Sequence, residues 1–225
     1  MESLEIERGA RLQVYAAAYE LLALSFRYPE AVLAEAVVTG EWADAAREIA
    51  DALGFGLPKG WGEGLDAYEG CASEGVLRSL RVEATRLFVG APEPAVSPYE
   101  GVARALAEGA RPLLFVNPRS MDVERFVRSC GLGRPKGANE PLDHVAAECE
   151  LLSYLASLAA GAPAPAGAPC GAALPGGSPQ AAYAAFLDSH AQRWMPAFAA
   201  AVRAEARAPF YGAAARLLAA VVERG

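Results

Sequence analysis

Metal sites and nucleophilic triads usually draw on imidazole, and this 225-residue chain has only two histidines, His144 and His190. His144 closes the stretch Asn139-Glu140-Pro141-Leu142-Asp143-His144 and stands four residues before Glu148. On a helix, positions four apart share a face. Asp143, His144 and Glu148 are therefore a His–carboxylate group of the kind that binds a metal or moves a proton. One imidazole with two carboxylates is a thin metal site, however, and no second His-rich segment completes it. Two other readings stand beside it. In one, Asp143 stabilises a helix N-terminus and His144 hydrogen-bonds locally. In the other, the pair belongs to a binding surface. His190 falls in the series Phe186, His190, Trp194, Phe198, Val202, each four apart, and reads as a core residue with one satisfied nitrogen.

The remaining chemistry-bearing patterns are absent. Cys71, Cys130, Cys149 and Cys170 contain no C-x-x-C pair, which argues against a zinc ribbon or disulfide framework and for free thiols in a reducing compartment. There is no G-x-x-x-x-G-K-[ST], no strand-linked G-x-G-x-x-G and no G-x-S-x-G. With no positive motif for an enzyme, the chain reads as a binding protein that needs no metal or cofactor. One further arrangement suits binding. Arg86-Leu87-Phe88-Val89-Gly90 followed by Ser97-Pro98-Tyr99-Glu100 joins an apolar helix end to a proline-stiffened loop with an aromatic. It can form a wall of a groove for an apolar peptide, or be ordinary core packing beside a rigid loop.

The elements that must position these residues are helical. Apolar side chains recur at spacings of three and four from about residue 4 to Arg27, through Leu12, Tyr15, Tyr19, Leu22 and Phe26, until Pro29 stops the pattern. Similar patterns predict helices over about 30–53, 65–89, 99–108 and 121–130, the last capped by Ser120. A helix capped by Asn139, with Pro141 in its first turn, is expected to run to about Ala159. Two more cover the Phe186–Val202 series and residues 210–223. Leu113 to Val116 is an isolated apolar run. The expectation is an all-α chain of about seven to nine helices in a single domain over residues 1–225. It has a Gly/Pro-rich hinge at 131–138, which permits segment swapping, and a flexible Ala/Pro/Gly loop at 161–179.

The totals narrow the partners. The formal net charge is −7 without a dense Lys/Arg cluster, which argues against a nucleic-acid partner and suits a basic one. No signal-peptide pattern opens the sequence. Residues 151–187 carry no charge, but prolines at 163, 165, 169, 175 and 179 break the stretch, so stable membrane insertion is not expected.

At these residues the chain resembles the TorD-like family of redox-enzyme maturation chaperones, which includes the dimethyl-sulfoxide reductase and nitrate reductase assembly chaperones. Three segments carry the resemblance in order. They are Glu83 to Gly90 with Ser97-Pro98-Tyr99-Glu100; Asn139 to His144, close to the family's E-P-x-D-H signature; and Phe186-Leu187, His190, Trp194 and Phe198 with Pro209-Phe210-Tyr211. Tyr28-Pro29 also fits. The resemblance implies a cytoplasmic, non-enzymatic chaperone, a monomer or homodimer. It would bind the twin-arginine signal peptide, or a related N-terminal segment, of the apo form of a molybdenum-containing oxidoreductase subunit until its cofactor is inserted, and so prevent premature export. It assigns peptide binding to Leu87, Phe88, Pro98, Asp143 and His144, with Tyr99 at a position that is often aromatic. Positions aromatic in some members are Ala84, Pro92 and Ala103 here. Leu87, Phe88 and Tyr99 would supply the apolar groove, and Asp143, Glu100 and Glu148 the carboxylates for the arginines. The alternative is a metal-dependent or hydrolytic enzyme centred on Asp143, His144 and Glu148. No phosphate-loop motif supports nucleotide binding.

Overall fold

Alanine, leucine and tyrosine at helical spacing give α1 (Glu2–Phe26) an interior stripe in which Tyr15, Tyr19, Leu22 and Phe26 are buried. A computed structural model describes residues 2–90, 93–110, 117–133 and 141–225, with the side chains of residues 2–5 excepted. The stripe of α1 lies along α7 (Val145–Ala159) in the most extensive helix pairing of the molecule. α7 is apolar nearly all round. Leu151, Leu152, Leu155, Ala156 and Leu158 are all buried, as befits a helix that neighbours enclose on several sides. Each fully buried leucine contributes about 1.5–3 kcal/mol of transfer free energy.

Several boundaries differ from the sequence expectation for local reasons. Residues 30–53 form two helices, α2 (Ala31–Val38) and α3 (Glu41–Ala52). Gly40 separates them with a φ of 82°, a left-handed angle that glycine adopts without steric cost. The break turns Trp42 inward, where its ring stacks on Trp61 at 5.7 Å and its Nε1–H donates to Ser25 Oγ at 2.9 Å. The 65–89 stretch becomes a short 3-10 turn (Leu65–Tyr68), α4 (Ser73–Ala84) and a wide π turn (Thr85–Val89).

After α5 (Glu100–Ala107), α6 (Pro118–Ser129) is capped by Asn117, whose side chain accepts from the Arg119 N–H at 2.9 Å. Ser120, expected as that cap, sits inside the first turn. Asn139 lies outside the described residues. α7 is capped by His144, whose Nδ1 accepts from the Ala146 N–H at 3.1 Å. Pro141 therefore precedes the helix and is not in its first turn. The Leu113 to Val116 run and residues 134–138 of the expected hinge also lie outside the described residues. The 161–179 segment holds two 3-10 turns (Gly171–Ala173 and Pro175–Gly177), and Leu174 between them is buried.

α8 (Pro179–Phe186), a second π turn (Leu187–Ala191) and α9 (Gln192–Glu205) run as one rod, followed by α10 (Pro209–Val222). A strict four-residue series drifts around a helix of 3.6 residues per turn. The π turn absorbs an extra residue, and Phe186, His190, Trp194, Phe198 and Val202 all stay buried. Among the described residues the chain is one compact, all-α domain of nine rods, counting α8 and α9 together, and no strand forms.

Candidate functional site

The first π turn and the start of α7 converge on one region. In the first π turn the Gly90 N–H reaches back five residues to the Thr85 carbonyl at 2.7 Å. The widened turn puts Leu87 fully in the core and leaves Phe88 at the edge, with its ring 6.2 Å from Phe26, 6.0 Å from Phe198 and 5.5 Å from Tyr211. Gly90 is obligatory here. A Cβ would lie 2.3 Å from the Glu93 carbonyl oxygen and 2.4 Å from the Pro94 Cα. The chain then folds back on the helix end, the Val96 N–H donating to the Leu87 carbonyl at 2.8 Å.

The Pro98–Glu100 loop meets the Asp143–Val145 segment in an isolated antiparallel bridge between Tyr99 and His144. The Glu100 N–H donates to the Asp143 carbonyl at 2.9 Å, and the Val145 N–H to the Pro98 carbonyl at 2.8 Å. The Tyr99 and His144 rings stand edge to face, 5.3 Å apart at 74°, a geometry that aromatic quadrupoles favour.

In front of this bridge lies a cleft of about 750 Å³, within the size range of ligand pockets. Phe88, Pro98, Tyr99 and His144 line it. Leu24, Tyr28, Leu142, Leu151 and Tyr154 supply much of the rest of its apolar wall. The sequence reading does not pick out the face of α7 carrying Ala147, Glu150, Leu151 and Tyr154. Its three- and four-residue spacing shows that face once His144 is placed as the cap. The contribution of Arg27 and Glu30 has no local signal, because α1 and α7 meet only through the tertiary fold.

The other four candidate residues lie behind the wall. Leu87 is core. Glu100 is fully buried, and its carboxylate accepts from Arg104 at 2.7 Å and faces His190 Nδ1 at 2.9 Å. Asp143 is buried, with Oδ2 accepting from the Ser120 hydroxyl at 2.5 Å and the Gly101 N–H at 3.0 Å. Glu148 is buried and accepts from Trp194 Nε1–H at 3.0 Å. The sequence reading gives these carboxylates to arginines of a ligand; the structure places them in the interior with partners from this chain. His144 and Glu148 do not share an exposed face, because His144 is the extended cap residue and lies outside the helix.

Electrostatics follow from this burial. Burial pushes the Asp143 carboxyl above its ordinary range, although the Ser120 and Gly101 hydrogen bonds oppose the shift. Burial, together with the charge on Glu100, holds Glu148 well above the usual carboxylate range. The ionised form of Glu148 is thus disfavoured in the interior, and the Trp194 N–H is the one bond that opposes this. Among the described residues no group of three or more His, Cys, Asp or Glu side chains could hold a metal. All four cysteines are free, Cys130 and Cys149 buried and Cys71 and Cys170 exposed. No described helix is long and apolar enough to cross a membrane.

Residues 39–200 match the family model described as the nitrate reductase delta subunit. The chain belongs to that family. The nitrate reductase delta family is a TorD-like family of redox-enzyme maturation chaperones and is not an enzyme family. The matched span contains both segments of the Tyr99–His144 bridge and the first π turn, while the part of the cleft wall from Leu24 to Val32 lies before it. No curated protein matches the chain.

Proposed function

We propose that this chain binds the twin-arginine signal peptide, or a related N-terminal segment, of a molybdenum-containing oxidoreductase subunit in the cleft in front of the Tyr99–His144 bridge, and holds that subunit in the cytoplasm until its cofactor is in place. The observation that carries this reading is the cleft itself. Phe88, Pro98, Tyr99 and His144, from two segments far apart in sequence, form a continuous wall of a cleft of about 750 Å³. In a family of maturation chaperones, an apolar cleft rimmed by carboxylates suits a segment that combines cationic residues with an apolar run. In this reading Phe88, Pro98, Tyr99 and His144 touch the peptide. Leu87, Glu100, Asp143 and Glu148 hold those four in place.

Isothermal titration of the full chain with a synthetic peptide tests it. The peptide carries two adjacent arginines followed by a leucine- and alanine-rich run. Saturable one-to-one binding is expected, and Tyr99→Ala with His144→Ala should weaken it roughly tenfold, about 1.4 kcal/mol. Absence of binding to this peptide and to the N-terminal segment of any co-encoded oxidoreductase would overturn the proposal.

A further inference from the structure

Among the described lining residues, the charged groups at the cleft mouth are Arg27, at the end of α1, Glu30, the residue before α2, and Glu150 on α7. Arg27 Nε–H donates to Glu150 Oε1 at 2.6 Å, and its Nη2 also engages that carboxylate. Both side chains are about half exposed, at 55% and 47%. Glu30 lines the same cleft, is exposed and makes no side-chain cap hydrogen bond to the helix it precedes. Among the described lining residues two carboxylates thus stand against one guanidinium, and Arg81 packs on Tyr28 at 5.7 Å and donates to the Pro29 carbonyl at 2.9 Å next to them. The apolar side chains around the mouth, Tyr28, Val32 and Val89, are each more than half exposed. A mouth that presents exposed carboxylates beside exposed apolar side chains matches a ligand with a cation next to an apolar run.

We infer that Glu150 and Glu30 are the residues that receive arginine from the bound segment, and that Arg27 is an internal guanidinium which the ligand's arginine displaces from Glu150. This rests on the peptide reading above. An exposed ion pair is worth about 0–1 kcal/mol, so Arg27 keeps Glu150 oriented toward the mouth without holding it against exchange. The incoming arginine makes an equivalent pair and also brings an apolar run into the cleft, which Arg27 does not. A guanidinium can meet a carboxylate through two parallel N–H···O bonds, which an ammonium does not reproduce. The ligand class is therefore arginine-bearing rather than merely basic. The buried carboxylates of Glu100, Asp143 and Glu148 are closed to this role by their burial.

Titration of the full chain with the twin-arginine peptide decides the matter, with thermal melting of every variant as a folding control. Glu150→Gln should weaken binding roughly fivefold and Glu30→Gln about twofold. Arg27→Gln, which removes the internal competitor, should strengthen binding about threefold. A peptide with both arginines changed to lysine should bind the wild type more weakly, and one with both changed to glutamine should bind wild type and Arg27→Gln equally. If the wild type binds the arginine peptide but Glu150→Gln and Arg27→Gln leave its affinity unchanged, the inference fails and the peptide reading stands. If the wild type binds none of these peptides, the peptide reading fails and takes the inference with it.

Discussion

The carboxylate of Asp143 accepts the main-chain N–H of Gly101 at 3.0 Å, across a separation in sequence that spans α5 and α6. The same oxygen takes the Ser120 hydroxyl. Asp143 therefore ties the first turn of α5 and the first turn of α6 to the segment that precedes α7, directly behind the cleft wall. Asp143→Ala leaves a buried N–H and a hydroxyl without their acceptor, which costs about 1–3 kcal/mol. Urea denaturation should register that loss, and peptide affinity should fall with it. Asp143→Asn keeps an acceptor oxygen and should retain most of both.

Gly101 is required by crowding rather than by backbone angle. A Cβ there would meet Ser120 Oγ at 2.5 Å and Asn117 Cγ at 2.9 Å. Gly101→Ala is expected to lose about 1–3 kcal/mol, seen as a lower melting temperature. A Cβ at Gly75 in α4 would instead point into open space, with nothing within 4 Å. Gly75→Ala should be neutral or stabilising by up to about 1 kcal/mol.

Glu148 makes a prediction with a definite sign. Its pKa in the folded chain lies well above its ordinary value of 4.5, because burial and the charge of Glu100 disfavour the ionised form. The folded state therefore holds a proton that the unfolded state has released. Its contribution to stability is fully present below the unfolded pKa and is lost as pH rises from there through the raised folded value. Glu148→Gln cannot ionise and keeps an acceptor for Trp194. Denaturation midpoints measured from about pH 4 upward should fall more steeply with pH for the wild type than for this variant. Parallel curves would contradict a raised Glu148 pKa in the folded chain. Asp143, whose pKa is also raised, adds to the slope of both proteins.

Phe88 joins the core to the cleft through its contacts with Phe26, Phe198 and Tyr211. Phe88→Ala should lower stability by about 2 kcal/mol, less than for a fully buried phenylalanine because the ring is only partly buried on the cleft side. Peptide binding should weaken about tenfold. Phe88→Leu should recover most of the stability but only part of the affinity, a split that titration and melting together resolve.

The helical class and most element positions are legible in the sequence, because three- and four-residue apolar spacing is a strong local signal. Tyr15, Tyr19, Leu22 and Phe26 form one stripe by spacing and lie on one buried face. The breaks are harder to see. Gly40 splits a pattern whose apolar spacing continues through it, and nothing local distinguishes Ser120 from Asn117 as a cap except the proline that follows Asn117. The candidate site is legible as a set of residues but not as a set of directions. Phe88 and His144 stand beside Leu87 and Asp143 in the sequence, yet adjacent residues face opposite ways across a π turn and an extended bridge. The Arg27–Glu150 pair joins residues 123 positions apart, and no local pattern reports such a contact.

The π turn at Thr85–Val89 holds one residue more than an ordinary helical turn. Its removal by a single-residue deletion would restore a regular helix and rotate Phe88 by about 100° around the axis, away from the cleft, while α4 kept its place in the core. The shape of the cleft wall in such a scaffold is then a matter of phase. A change of register by one residue re-aims the aromatic that lines the cleft, and the helices that carry the stability need not move.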